Sequence, residues 1–419
     1  MTWLNAKKEK MQQFQDVPSS FVDIVQGSVL CLSVPSMFEF GIDNCSHQLA
    51  SQDFRGINQI TFNIPHIIYY NRIDHDKFGS GQGPRICFFH VFTRENPFLV
   101  LDYDEKDEDF VLIPPSDDRF GRAVSQYQAG LWMKQIAPYS DEMKKNWQNL
   151  VSFIDCSFLE KIEPIHKKIT STLYEEEVMP SSSTGDRIKK ANTIYYIHIP
   201  QKLSRKGLTP EQITKLNFDK SQLLEEIIDA KKNASYKTSF HELFAEIQFS
   251  FICLLHGQCL HGLSQWKKLV HLFCNCEDAL IDRTDMFLSF IELIRYQFEM
   301  LPRDFIEDMV EHDFDLDEEK LLQVTKRDHT SGLDRTDASI HHQAKTQSKI
   351  TKRDHFLQKT LLQLFLTVDA IDEDEDEKPI LWALFSKTTR KFKQYLEREF
   401  EGCKDMFIED EEDIPKYVR

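Results

Sequence analysis

The hydrophobic pattern of this 419-residue chain changes period once, and that change prescribes a fold in two parts. From Gly27 to about Ile113, short apolar runs rich in β-branched and aromatic residues are broken by Gly, Pro and Asn. The runs GSVLCLSVP, NQITFNIPHIIYY, PRICFFHVF and FLVLDY have strand lengths, with DNCS, FGSGQG and RENP as turns. They predict a β-rich, sandwich or barrel-like N-terminal domain. Within it, Gly79-Ser80-Gly81-Gln82-Gly83 reads as a hairpin turn, because Pro84 and a strand follow where a phosphate-binding loop requires a helix start. The acidic run Asp102 to Asp109 reads as a solvated loop. After Ser116 the period becomes helical. Ser116, Asp117 and Asp118 offer caps, Pro138 stops the segment, and Ser140 to Ile154 carries Trp147, Leu150, Val151 and Ile154 on one stripe. These helices are expected to close the β domain, which spans 27–164 behind an N-terminal extension, 1–26.

Residues 165–200 form the expected boundary. EEEVMPSSSTGDRIKKAN has little to bury and the composition of a linker, and Asn192 to Pro200 reads as an extended segment ending a strand or sheet edge. Everything from 201 to 402 reads as an all-α domain. Thr209, Pro210 and Gln212 make a capping box, and Asp219 with Gln222 repeats its offset. Ser239 and Glu242 open a long helix whose Phe240, Leu243, Phe244, Ile247, Phe251, Leu254 and Leu255 form so wide an apolar face that it must lie centrally. Gly257 ends it, and Leu263, Trp266, Val270 and Phe273 return as the second arm of a helical hairpin. A further helix runs through Phe287, Ile291, Ile294, Phe298 and Leu301, stopped by Pro302. Asp313 to His355 is a polar insertion containing TKRDH twice, read as a disordered loop between helices. Helical spacing resumes at Leu357 to Val368. The acidic run Asp372 to Glu377 and Pro379 lead to a last helix through Phe392, Leu396 and Phe400. The acidic tail, 403–419, contains an apolar island, Met406, Phe407 and Ile408, suited to addition as a strand on a partner.

Charge narrows the partners. With 68 acids against 51 bases the chain carries −17, which repels phosphate backbones and anionic lipid, so neither direct nucleic-acid nor membrane binding is expected. No apolar run approaches the ~18 residues of a spanning helix, and Met1 to Lys10 lacks the apolar centre of a signal peptide. Nine cysteines scattered among Leu and Phe read as buried thiols of a reducing compartment, without structural bridges. The expected location is cytoplasm and nucleus.

Catalytic chemistry is hard to place. Asp282-Arg283-Thr284-Asp285 and Asp334-Arg335-Thr336-Asp337 resemble the end of a phosphoinositide phosphatase loop, but that loop needs a cysteine thiolate six residues before the Arg, where Glu277 and His329 stand. The tetrads therefore read as a helix cap and a loop. Cys253, His256, Cys259, His261, His271, Cys274 and Cys276 are the one clustering of metal-capable side chains, yet most sit in apolar helical stripes where Cys acts as a small hydrophobe. Basic patches at Arg187 to Lys190 and Lys202 to Lys206 are short and read as solvated. No catalytic residue, cofactor or metal is assigned.

Several strings, in order, resemble one family. They are Glu39-Phe40-Gly41-Ile42-Asp43, Phe54-Arg55-Gly56-Ile57, Gly83-Pro84-Arg85 with Phe88-Phe89, Pro210 with Ile213-Thr214-Lys215, Glu246-Ile247-Gln248-Phe249-Ser250-Phe251, Trp266-Lys267-Lys268-Leu269, and Leu301-Pro302 before Asp304-Phe305. Their order is similar to that of the A1-cistron splicing factors. The resemblance implies an α+β multidomain protein with a helical, VHS-like C-terminal domain. It also implies a non-catalytic chaperone of U5 snRNP assembly in pre-mRNA splicing, which binds the large U5 snRNP scaffold protein through its RNase H-like and MPN domains. Bound there, it keeps the U5 helicase off until nuclear maturation. The insertion and the N-terminal extension depart from the pattern. A general helical peptide-binding adaptor and a zinc-dependent hydrolase built on the Cys/His cluster are the alternative readings.

Overall fold

In the computed structural model the described residues are 26–49, 53–76, 79–171, 193–200, 207–231, 240–301, 356–374 and 377–399. The apolar runs form β1 (Gly27–Cys31), β2 (Phe38–Ile42), β3 (Cys45–Leu49), β4 (Gly56–Ile60), β5 (Pro65–Asp76), β6 (Gly79–Gln82), β7 (Ile86–Val91), β8 (Phe98–Asp104) and β9 (Asp109–Ile113). Two short strands, β10 (Ile136–Pro138) and β11 (Ile169–Thr170), join them. One sheet has the order β10-β4-β1-β8-β9 and the other β11-β7-β5-β2-β3, with β6 paired to β5. β1 runs parallel to β8 and antiparallel to β4.

Alternation along β1 and β8 explains the layering. Val29, Cys31, Leu99 and Leu101 share one interior with Phe38, Phe40, Ile68 and Tyr70 of the second sheet. Leu30, Phe98 and Val100 point the other way, onto Ala123 and Val124 of α1 (Asp118–Gln128). A strand buried on both faces is apolar on both, as VLC and FLVL are, and the buried Ser28 hydroxyl of β1 is satisfied by Tyr127 Oη. The N-terminal region is thus a β-sandwich with a helix over one sheet. α1 starts where Asp117 accepts from the Arg119 amide, α2 (Asp141–Leu150) at Ser140, and α3 (Cys156–Ile162) at Asp155. Gly56 holds a bend no other residue fits: its φ is +126°, and a Cβ there would lie 1.9 Å from the Val29 carbonyl oxygen.

Several expectations need correction here. Gly79 to Gln82 is a strand rather than a turn, pairing Gly79 with Asp76 and Gln82 with Ile73. Of the acidic run, Asp102 to Asp104 belong to β8 and Asp109 opens β9, so the turn is confined to Glu105 to Glu108. NQITFNIPHIIYY is two strands, broken at Thr61 to Ile64, where Asn63 takes a φ of +63°. The segment 193–200 forms no strand, and its Tyr196 amide turns back to the Ile194 carbonyl at 3.1 Å; the Ile197 amide donates to Glu246 Oε1 at 2.9 Å.

The helical region comprises α4 (Pro210–Phe218), α5 (Ser221–Lys231), α6 (His241–Leu255), α7 (Leu260–Cys274), α8 (Glu277–Asp282), α9 (Thr284–Met300), α10 (Phe356–Glu373) and α11 (Trp382–Glu399). The Thr209/Gln212 capping box forms as expected. Compactness divides the chain into Met1–Tyr196 with Gln248–Gly262, and Ile197–Ile247 with Leu263–Arg419, so α6 contributes to both units. From Glu242 to Leu254 this helix is buried at every position, which its wide apolar face foretells. The second unit is built around stacked aromatics. Phe273 of α7 lies 4.7 Å from Phe290 of α9, while Phe298 and Phe365 meet Phe392 of α11.

Among the described residues no helix is long and apolar enough to cross a membrane, and every described cysteine is free. Ser239, Phe400, the insertion Asp313 to His355 and the N-terminal extension before Gln26 lie outside the described residues. Phe251 is fully buried in the first unit. Phe251→Ala is expected to cost about 3–5 kcal/mol through the cavity it leaves, measured by denaturant unfolding. A change below about 1 kcal/mol would show that the site collapses or was never packed.

Candidate functional site

Glu39, Asp43, Arg85 and Gln248 of the strings quoted above take part in buried networks of the first unit. Arg85, on the loop entering β7, donates to Glu39 Oε2 of β2 at 2.6 Å, to Asn71 Oδ1 of β5 at 3.3 Å and to the His256 carbonyl at 3.2 Å. Its guanidinium lies 4.8 Å from the Tyr69 ring, and Ser46 donates to the other Glu39 oxygen. Asp43, at φ +51°, accepts from the Ile67 amide and from Tyr139 Oη at 2.7 Å, and its Oδ2 lies 2.5 Å from His66 Nδ1. His66 Nε2 faces the Thr61 carbonyl at 2.9 Å, so both ring nitrogens have acceptors. An Asp–His pair invites a catalytic reading, but both side chains are wholly buried and the third partner is a structural tyrosine. Gln248 accepts from the Phe153 amide and donates to the Asn149 carbonyl and to Ser152, closing the end of α2.

The Cys/His cluster is dispersed. His256 stacks on Tyr69 and meets Trp147 edge-on, its pKa pushed down to about 3 by burial and by Arg85. Cys253, Cys259, Cys274 and Cys276 are buried, and burial raises each thiol pKa, the opposite of what a nucleophile or metal ligand needs. His261 and His271 are exposed. Among the described residues no three His, Cys, Asp or Glu side chains come together as a ligand set. Arg283 of the first tetrad sits between α8 and α9 and is held bidentately by Glu225 at 2.9 and 2.8 Å. Arg283 is the residue that ends α8 and precedes α9, and Thr284 Oγ1 donates to the Leu280 and Ile281 carbonyls, so the tetrad caps helices as expected, without a side-chain bond from Arg283 to the start of α9. Glu277 opens α8. The second tetrad with His329, the basic patches and the island Met406, Phe407 and Ile408 lie outside the described residues.

Sequence reasoning missed three features. Asp219, read as a cap for α5, also accepts from the Glu277 and Asp278 amides, stapling α8 to α5. That bridge has no local sequence signal. Asp372, given no role beyond its place in an acidic run, is engaged by Trp382 Nε1, Ser386 and Arg390 of α11. Exposed apolar side chains also went unnoticed. They are Val111 and Leu112 on β9, an edge strand, and Ile380, Leu381 and Leu384 at the start of α11.

Glu163 is the strongly perturbed acid of the first unit. It follows α3, burial pushes its carboxyl up to about 7, and its Oε1 has no partner. The thiols that feel its charge, Cys87 and Cys253, are both pushed up by burial.

Two family models cover most of the chain. The one described as the AAR2 N-terminal domain matches residues 26–164, and the one described as the AAR2 C-terminal repeat region matches residues 196–401. The chain belongs to the AAR2 family. It is 26% identical to the AAR2 homologue of Caenorhabditis elegans over 408 residues, 92% of this chain and 97% of that protein. With the Homo sapiens homologue it shares 26% identity over 314 residues, 68% of this chain and 79% of the relative. The Mus musculus homologue matches at 26% over 315 residues, covering 68% and 79%. AAR2 membership agrees with the resemblance drawn from the quoted strings and carries a splicing-related role.

Glu163 gives a pH signature. Its folded pKa lies above the ordinary glutamate value of 4.5, so the native state holds the proton more tightly than the unfolded chain. That contribution is complete below about pH 4.5 and is lost as pH rises through about 7. His90 and His256, lowered to about 4 and about 3 by burial, act oppositely, favouring the native state as pH climbs towards the ordinary histidine value of 6.5. Glu163→Gln is therefore expected to gain stability relative to the parent as pH rises from 4.5 to 7, measured by unfolding at a series of pH values. A difference independent of pH would contradict the assignment.

Proposed function

We propose that this chain is an assembly factor of pre-mRNA splicing that holds the large U5 snRNP scaffold protein. It engages the scaffold's RNase H-like and MPN domains and keeps the U5 helicase from binding prematurely. The observation that carries the proposal is the match to both AAR2 regions, 26–164 and 196–401, together with the worm relative aligned along 92% of the chain. On this reading the helical domain, 201–402, is VHS-like and the chain is a holder rather than an enzyme. It acts in cytoplasm and nucleus, without direct nucleic-acid or membrane contact.

Two physical features support it. A charge of −17 disfavours competition for RNA and suits a partner that must later carry RNA through basic surfaces. The polar residues that could suggest chemistry are engaged in buried structural networks, as Glu39, Asp43, His66 and Arg85 are. The island Met406, Phe407 and Ile408 supplies a strand to the partner's surface. The general peptide adaptor has no specific observation in its favour, and the zinc-hydrolase reading lacks a convergent ligand set among the described residues.

The test is capture by the scaffold's RNase H-like domain. Stoichiometric retention is expected, with affinity falling at least about tenfold when Cys403 to Arg419 are deleted. Absence of retention would overturn the partner. Retention unchanged by the deletion would discard the tail.

A further inference from the structure

The last helix presents a second face that the fold does not use. Its inner side, Trp382, Phe385, Thr389, Phe392 and Leu396, is buried at 3,4 spacing. On the outer side Ile380 is 100% exposed, Leu381 41% and Leu384 50%, an apolar start where a solvated helix needs polar residues. The same side continues with Lys387 and Lys391, both exposed and without a carboxylate partner among the described residues. In a chain of net charge −17 this is an unusual combination: an apolar ridge followed by unpaired cations.

Residues just beyond α11 have the complementary chemistry. From Glu401 to Asp413 there are seven acids and one Lys around Met406, Phe407 and Ile408. The reach also fits. Leu384 stands 15 residues before the helix end at Glu399, about 22 Å back along the axis at ~1.5 Å per residue. The seven residues from Phe400 to Met406, extended, span about 23 Å at ~3.3 Å each. An antiparallel return therefore brings the apolar island to the apolar ridge and leaves Glu401 and Asp405 to pass Lys391 and Lys387.

We propose that the outer face of α11 is the docking site of the chain's own acidic tail, the Met406 to Ile408 island seated on Ile380, Leu381 and Leu384 and tail carboxylates paired with Lys387 and Lys391. The contact goes beyond the splicing reading, since it is made by the isolated chain. Its consequence for that reading is competition, because the island cannot lie on α11 and be added as a strand to a partner at once.

Carbodiimide coupling of the full-length chain, read by mass spectrometry, tests it, since the reagent joins a carboxylate to a lysine only in direct contact. Links from the 401–413 carboxylates to Lys387 or Lys391 are expected, at a yield unchanged over a hundredfold dilution. The exposed double variant Leu381→Asp with Leu384→Asp is expected to reduce that yield at least fivefold while its melting transition stays in place. Phe407→Asp, which alters only the tail, is expected to do the same. Missing links overturn the proposal. So do links that fade on dilution, which would place a second copy on the face, and links indifferent to both variants, which would reduce the contact to non-specific charge attraction. The scaffold protein is absent from this experiment, so its outcome is separate from that of the capture assay.

Discussion

The Glu39–Arg85 ion pair is the interaction on which the sandwich unit depends. Two charges with side chains only about a tenth exposed are costly to desolvate, and the cost is offset only when every remaining donor and acceptor is satisfied. Here each guanidinium nitrogen and both Glu39 oxygens have a partner. Arg85 reaches β2, β5 and the carbonyl of His256 just past α6, while Ser46 on β3 completes Glu39. One guanidinium thus fixes the relative position of three neighbouring strands and the end of a helix. An apolar residue in its place would pack but would specify none of these alignments.

The same logic recurs throughout that unit and shapes what the protein can do. Asp43 fixes the β2–β3 turn to β5 and to Tyr139, and Gln248 closes α2 from a buried position on α6. In the second unit Glu246 joins the 197 segment to Gln265, and Trp266 donates to Gln297 at 2.8 Å. Side chains that elsewhere perform acid–base chemistry are here committed to holding backbone. The strings that place Asp43, Glu246 and Gln248 are among the ones that resemble the AAR2 family, to which the chain belongs.

How much of this was legible in sequence follows from the range of the interactions. β1 and β8 were readable because burial on both faces leaves consecutive apolar residues, α6 because its apolar face is so wide, and α4 because its cap is local. β3 was not, since CSHQL is polar with only its ends buried, and β6 was hidden because Gly-Ser-Gly-Gln carries no strand propensity and is held by pairing with β5 alone. The networks were invisible as networks. Glu39 and Arg85 are 46 residues apart, and Asp43 and Tyr139 are 96 apart. Glu39, Asp43 and Arg85 entered only as parts of the strings that resemble the AAR2 family and Tyr139 did not enter at all, and the structure supplies a physical reason those three charged residues stand there. Gly41, between Glu39 and Asp43, has a steric reason: a Cβ there would lie 2.2 Å from the Tyr69 ring, the ring that Arg85 covers.

The claim that these polar residues are structural pins is tested most directly by a double-mutant cycle on Glu39 and Arg85, read as unfolding free energy of the full chain. Glu39→Leu and Arg85→Leu should each cost about 3–5 kcal/mol, because each strands a buried charge. The double variant should recover a large part of that loss, giving a coupling of about 2 kcal/mol or more. Single costs that simply add, within about 0.5 kcal/mol, would mean that the pair does not organise the unit.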